Sequence, residues 1–111
     1  MTDIANILYT NPSEVSLIAG QEVPFDVEWE GADAGAVSLA TATVYDMPTG
    51  DDVTATVMPT GAHQVNGNVV TYKTLKALTS GKTYLGVFGA TVNGVIELRK
   101  CKFPCVSPKK Y

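Results

Sequence analysis

The sequence contains one histidine, no glycine motif with the spacing of a nucleotide-binding loop and no sustained helical periodicity. His63 lies between Gly61 and Gly67 in a predicted solvent-exposed loop, so a Ser-His-Asp or Cys-His arrangement would have to be built around this residue alone. The glycines fit neither the P-loop nor the dinucleotide-binding spacing. We therefore predict a protein that is not an enzyme, with no catalytic residues and no cofactor.

Cysteines are scarce as well. Cys101 and Cys105 are the only two, and in an extended strand their Cα atoms would lie roughly 13 Å apart, beyond disulfide range, unless the chain bends sharply at Pro104. Free thiols are the favoured interpretation. Two thiols without further ligands make a poor zinc site. The acidic turn at 46–52 is a calcium candidate, but it lacks the EF-hand spacing and turn chemistry explains its aspartates, so no metal is predicted.

Basic residues are outnumbered, with 8 lysines and arginines against 11 acidic residues and a net charge of −3. This balance opposes binding to nucleic acid or to an anionic membrane surface. No stretch approaches the roughly 20 apolar residues of a membrane helix. The first residues also lack the basic and apolar regions of a secretory signal, so we expect synthesis in a cytoplasm unless a signal has been removed.

What the sequence does have is strand chemistry. Its 111 residues fit one domain, and 45% of them are hydrophobic, which is enough for a core. Valine and threonine recur between glycine and proline turns. These features predict an all-β fold of seven strands: Glu14–Ala19, Val23–Glu30, Val37–Asp46, Val53–Met58, Val69–Leu75, Thr83–Val92 and Val95–Phe103.

Two of these segments are the most informative. In 23–30, apolar and acidic side chains alternate, which is typical of a strand with one wet face. Near the C-terminus, Asn93-Gly94 separates two β-rich runs and predicts a tight hairpin whose first strand is central. In the second run, Ile96 and Leu98 have the opposite parity to Cys101 and Phe103. This switch predicts either a bulge or bend near residues 99–100, or an apolar patch on the outer face.

A turn motif indicates the type of sandwich. The segment from Leu78 to Tyr84, with Gly81 between them, resembles the tyrosine corner of immunoglobulin-like and fibronectin-type domains, in which the tyrosine hydroxyl bonds to upstream backbone. The alternative is that Tyr84 is an ordinary core aromatic. Together with Phe25 and Trp29, Tyr84 is expected at the centre of an immunoglobulin-like antiparallel β-sandwich.

The order of these features, from Asn11-Pro12 through Trp29 to the final hairpin, resembles the small immunoglobulin-like virion proteins of tailed bacteriophages. Each motif alone has low specificity, although together they span nearly the whole chain. The resemblance implies a structural role in capsid decoration, at the head-to-tail junction or as a tail adaptor. It also implies localisation in the virion, other virion proteins as partners and homo-oligomers within the particle, and it supplies no catalytic residues.

The expected organisation is an N-terminal arm at 1–12, a sandwich at 13–106 and a tail at 107–111. The arm carries Ile4, Ile7, Leu8 and Tyr9 and is more apolar than a solvated tail, so we predict that these residues bind a partner. The alternative is packing within the chain as an extra strand. A second functional hypothesis is a carbohydrate- or protein-binding fibronectin-like module of a bacterial surface protein, for which Tyr45, Tyr72 and Tyr111 are the candidate exposed aromatics.

Overall fold

The computed structural model describes residues 7–29, 37–58 and 62–106, with residues 11 and 12 described by their backbone alone. Within these ranges the chain forms eight strands and one helical turn. In chain order they are β1 (Leu8–Glu14), β2 (Leu17–Ile18), β3 (Val23–Glu28), β4 (Val37–Asp46), α1 (Thr54–Val57), β5 (Gln64–Asn66), β6 (Val69–Leu75), β7 (Thr83–Val92) and β8 (Val95–Val106).

The strands make two sheets that pack face to face. The larger sheet has the order β1-β8-β7-β4, with β2 also paired to β8, and the smaller has the order β3-β6-β5. The prediction of an all-β sandwich is confirmed. Its assignment to the immunoglobulin-like type and the boundaries of arm, sandwich and tail stay predictions, and 1–6 and 107–111 lie outside the described residues.

Strand β3 has the alternation that its sequence predicts. Val27 is buried, as is Trp29 just after the strand, whereas Asp26 and Glu28 are exposed. The strand pairs antiparallel with β6, so its apolar side chains face the larger sheet and its carboxylates face water.

The predicted C-terminal hairpin is present. Asn93 and Gly94 both have positive φ angles, of 51° and 82°, as a two-residue type I′ turn requires. Strand β7 lies between β8 and β4 and is therefore central. The β7–β8 register runs from Val92↔Val95 to Thr83↔Pro104 without a shift, so the bulge or bend considered at 99–100 does not occur. The parity switch instead leaves apolar side chains on the outer face.

The core is organised around Phe88, which is fully buried. The ring centroids of Phe25 and Tyr72 lie 4.6 and 4.9 Å from it, and Phe103 lies at 6.1 Å. A Cβ atom on Gly86 would approach the rings of Phe88 and Phe103 to within 2.8 Å, so a glycine lets these rings close together. The sandwich core is therefore aromatic at its centre.

The three rings expected at the centre of the core divide into two groups. Trp29 and Tyr84 are buried, whereas Phe25 is only half-buried and packs against the core. The backbone N–H of Thr79 donates a 2.8 Å hydrogen bond to the hydroxyl of Tyr84. Gly81, between these two residues, has a φ of 86°. The bond from the tyrosine to upstream backbone is thus present as predicted.

The strand predicted at Val53–Met58 is wrong, because this segment contains the helical turn α1. The carboxylate of Asp52 accepts hydrogen bonds from the backbone N–H and the hydroxyl of Thr54, at 2.9 and 2.6 Å. This local bonding favours a turn over an extended chain. Val57 and Met58 are buried in this segment. The β-branched pattern that predicted a strand did not indicate that both neighbours would be buried.

Other strand limits also differ from the prediction. In place of the single strand expected at 14–19, the chain forms β1, which ends at Glu14, and β2 at Leu17–Ile18. Both strands pair parallel with β8, whereas an antiparallel sandwich was expected. Strand β5 was not predicted. It pairs with β6 through a turn in which Gly67 has a φ of 65°, so the expected Asn-Gly turn joins two strands. Strand β8 continues to Val106.

Candidate docking surface

The two cysteines are thiols, not joined in a disulfide, and lie on the inner side of β8. Cys101 and Cys105 are buried, and the strand runs through Pro104 without the bend that a disulfide would need. Burial raises the pKa of both thiols, which makes them weak nucleophiles at neutral pH. They pack as small apolar groups in the core.

The carboxylates of the acidic turn are directed to different partners. The Oδ2 atom of Asp46 lies 2.6 Å from Nζ of Lys82, and the carboxylate raises the pKa of that amine. Asp52 instead accepts the two hydrogen bonds from Thr54, which lower its pKa. Among the described residues no group of three histidine, cysteine or acidic side chains is placed to hold a metal ion.

His63 is half-buried, which corrects the expectation of a solvent-exposed loop residue. Its Nδ1 atom accepts a 3.1 Å hydrogen bond from the backbone N–H of Lys73, and its ring contacts Tyr72 edge-on at 5.1 Å. Burial lowers the pKa of the imidazole, and the charge of Lys73 lowers it further. The neutral ring thus holds the segment before β5 against β6.

The outer face of the larger sheet carries the apolar surface that the parity switch left open. Since Cys101 and Phe103 face the core, the residues of opposite parity on β8 face outward, and the β-register aligns them with outward residues of β7 and β4. Ile96 is 75% exposed. We define the outer patch as Tyr9, Tyr45, Leu85, Val87, Ile96, Leu98, Lys100 and Lys102.

Close packing shapes the middle of the outer patch. Leu98 and Thr41 lie on either side of Gly89, and a Cβ atom on this glycine would come within 2.6 Å of both side chains. Gly89 is consequently buried although it faces outward. Leu98, Val87 and Leu85 are half-buried, so this part of the face is largely aliphatic, with Thr41 and Thr43 beside it on β4.

Tyr9 covers the basic end of the outer patch. Its ring centroid lies 4.5 Å from Nζ of Lys100 and 5.9 Å from Nζ of Lys102. Lys100 is 7% exposed, an unusual burial for a lysine, and the ring above it supplies a cation–π contact. Tyr9 is itself 43% exposed, so an aromatic ring over two cations is presented to solvent.

The four arm residues predicted to bind a partner have different environments. Ile7 is buried, whereas Leu8 and Tyr9 are exposed, and Ile4 lies outside the described residues. From Leu8 onward the arm is strand β1 at the edge of the larger sheet, parallel to β8. This is the extra strand that the sequence left as an alternative.

The tyrosines considered for an aromatic platform do not gather on one surface of the described chain. Tyr72 is 1% exposed, and its hydroxyl donates a 2.8 Å hydrogen bond to the carbonyl of Gly89. Tyr45 is half-buried on the outer face, and Tyr111 lies outside the described residues. Tyr72 is therefore an internal link between sheets, which corrects its place among the exposed aromatics.

Comparisons with known proteins give no family. No family model matches the chain, and no curated protein matches it significantly. In the described part of the chain, no helix has the length and apolar character needed to cross a membrane.

Proposed function

We propose that the chain is a non-enzymatic structural protein of a bacteriophage virion. In this proposal it docks onto capsid, neck or tail components through the outer patch and the neighbouring strand β1. The observation that carries the proposal is the outer patch itself. It combines a 75% exposed isoleucine with adjoining aliphatic side chains on a sheet whose opposite face packs against the core. Such apolar surfaces mark interaction sites on soluble domains.

The charge pattern of the outer patch supports a protein partner. Along β4, β7 and β8, the outward positions include Lys100 and Lys102 and no carboxylate, and Glu14, aligned with Lys102 on β1, is exposed at the border. An apolar centre with a charged border is the usual composition of a protein-binding surface. The partner surface should therefore be apolar at its centre and acidic opposite Lys102.

The carbohydrate- or protein-binding module has less support as a proposal. Carbohydrate sites of this kind need an exposed aromatic platform, and Tyr72 is committed to the core. Tyr9 is the exposed ring of the outer patch, but it is occupied by its contacts with Lys100 and Lys102. Assembly through an apolar surface is the better match.

Particle composition tests the proposal. In lysates of the virus whose genome encodes the chain, the protein should co-sediment with particles through a density gradient and occur at a fixed number of copies per particle by quantitative mass spectrometry. Ile96→Lys should reduce this incorporation. Asn66→Lys is the matched control, because it adds the same charge at an exposed strand position of the smaller sheet. Absence of the chain from purified particles would contradict the proposal.

A further inference from the structure

Strand β1 is held at the sheet edge by an interrupted pairing. It aligns with β8 at three positions, and the register shifts between Tyr9 and Glu14, a stretch that includes Pro12, which has no N–H to donate. The β7–β8 pair, in contrast, has ten aligned positions and no shift. Fewer ladder bonds mean a lower free energy of local opening for β1 than for the strands beside it.

The described contacts that hold β1 are made with β8. The ring of Tyr9 lies over Lys100 and Lys102, and the hydroxyl of Thr10 donates a 3.4 Å hydrogen bond to the carbonyl of Lys100. All of these groups belong to β8, which would become the edge of the larger sheet along this stretch if β1 left it. A β1 segment from a second copy of the chain would find the same partners in the same order.

Strand β2 keeps the core closed independently of β1. Leu17 is 3% exposed within the core cluster, and the N–H of Ala19 donates a 2.9 Å hydrogen bond to the carbonyl of Val106. Val15 and Ser16 connect β1 to β2, and Val15 belongs to the sandwich, because its N–H donates a 2.9 Å hydrogen bond to the carbonyl of Lys102 and its side chain packs against the core. Movement of β1 that ends at Glu14 would therefore leave the sandwich intact.

We propose that β1 is an exchangeable strand, and that in the assembled state β1 of one copy occupies the β8 edge of a second copy. This inference deepens the proposed function and rests on it. In a dilute chain the arm pairs with its own β8, because the short connection gives it an effective concentration of about a millimolar. Where copies are held side by side in a particle, the exchanged pairing becomes competitive because its contacts are the same.

Disulfide trapping between two variants tests the exchange. Tyr9 and Lys100 are aligned in parallel register, so their Cα atoms lie about 4.8 Å apart, within disulfide range. Tyr9→Cys and Lys100→Cys chains are mixed at about 1 mM, where exchange competes with self-pairing, and oxidised with glutathione disulfide. We expect a covalent dimer with a 9–100 bond by peptide mapping. Mixing Leu8→Cys with Lys100→Cys is the matched control, since position 8 aligns with position 99 and faces away.

The double variant Tyr9→Cys/Lys100→Cys separates this inference from the proposed function. Oxidised as a monomer, it holds β1 on its own chain, and it should lose incorporation into particles and regain it on reduction. Equal incorporation of the oxidised and reduced forms would overturn the exchange while leaving the structural role standing. Absence of even the wild-type chain from particles would overturn the role itself. Glu14→Cys/Lys102→Cys, a second aligned pair, repeats the test if the first variant does not fold.

Discussion

The hydroxyl of Tyr72 on β6 donates a hydrogen bond of 2.8 Å to the carbonyl of Gly89 on β7, and so links the two sheets through the core. Removing it should cost about 1–2 kcal/mol of unfolding free energy, because the buried carbonyl would lose its partner. Tyr72→Phe tests this by urea denaturation at pH 7. Tyr45→Phe is the control, since Tyr45 is half-buried on the outer face. An equal effect of the two substitutions would contradict the link.

The same tyrosine predicts behaviour in alkali. Burial raises the pKa of the Tyr72 phenol, an effect that the Trp29 indole partly opposes. The folded chain thus keeps a proton that the unfolded chain loses near pH 10, so stability is full below that pH and declines above it. Tyr72→Phe should flatten the part of the alkaline decline that wild type shows above pH 10. A parallel decline in both proteins would show that other groups cause it.

His63 predicts a loss of stability in weak acid. Its pKa in the folded chain is below the usual 6.5, because burial and Lys73 disfavour the charged ring. The unfolded chain therefore binds the proton first, and stability is full above about pH 6.5 and falls as the pH drops toward the folded pKa. Three charged side chains line a groove beside His63, so their charges also lie near the imidazole. They are Lys73, Lys76 and Glu22.

Urea denaturation between pH 7.5 and 5 measures this effect as the difference between wild type and His63→Gln. Subtracting the unfolding free energy of the variant from that of wild type cancels the contribution of every group that titrates in both proteins. The extra unfolding free energy of wild type over the variant should decrease as the pH falls. A protonated Nδ1 would be a second donor facing the N–H of Lys73, so the hydrogen bond between them would be lost. A pH-independent difference would contradict the prediction.

The pair of Asp46 and Lys82 predicts an asymmetric response to mutation. The side chain of Asp46 is 5% exposed and that of Lys82 is 46% exposed. Lys82→Met should lower the urea midpoint, because it leaves a buried carboxylate without its cation. Lys76→Met, which removes the longer 3.7 Å pair with exposed Glu22, should have a smaller effect. The reverse order of the two midpoints would refute this interpretation.

Gly89 predicts a steric cost on the outer face. Gly89→Ala would bring the new methyl group into Leu98 and Thr41, and we expect a loss of about 1–3 kcal/mol from the forced rearrangement. Thr91→Ala, at an outward and half-buried position of the same strand, should change stability less. Thermal unfolding measures both, and an unperturbed Gly89→Ala chain would mean that the two side chains move aside freely.

Most strands could be predicted because the information that specifies them is local. Alternation predicts β3, the Asn93-Gly94 pair predicts the β7–β8 hairpin, and the parity switch in 95–103 has an exposed apolar face as one of its two outcomes. The choice between those outcomes needed the register across β7. That register is a tertiary property, because it depends on which side chains fill the core.

The incorrect predictions have a partly local cause in one case and a tertiary cause in the others. The segment at 53–58 is rich in β-branched residues, yet the Asp52–Thr54 hydrogen bonds and the burial of Val57 fix a helical turn. The pairing of β1 with β8 joins residues about ninety positions apart, and no local pattern encodes it. Tyr72 was misplaced for the same reason, since its acceptor lies in the other sheet.

An electron cryomicroscopy map of the intact particle would show directly what contacts the outer patch. We expect density for the sandwich in which the outer patch, with Ile96 at its most exposed point, lies against another protein surface in every copy. A map in which the sandwich is resolved and the outer patch faces solvent in every copy would contradict it.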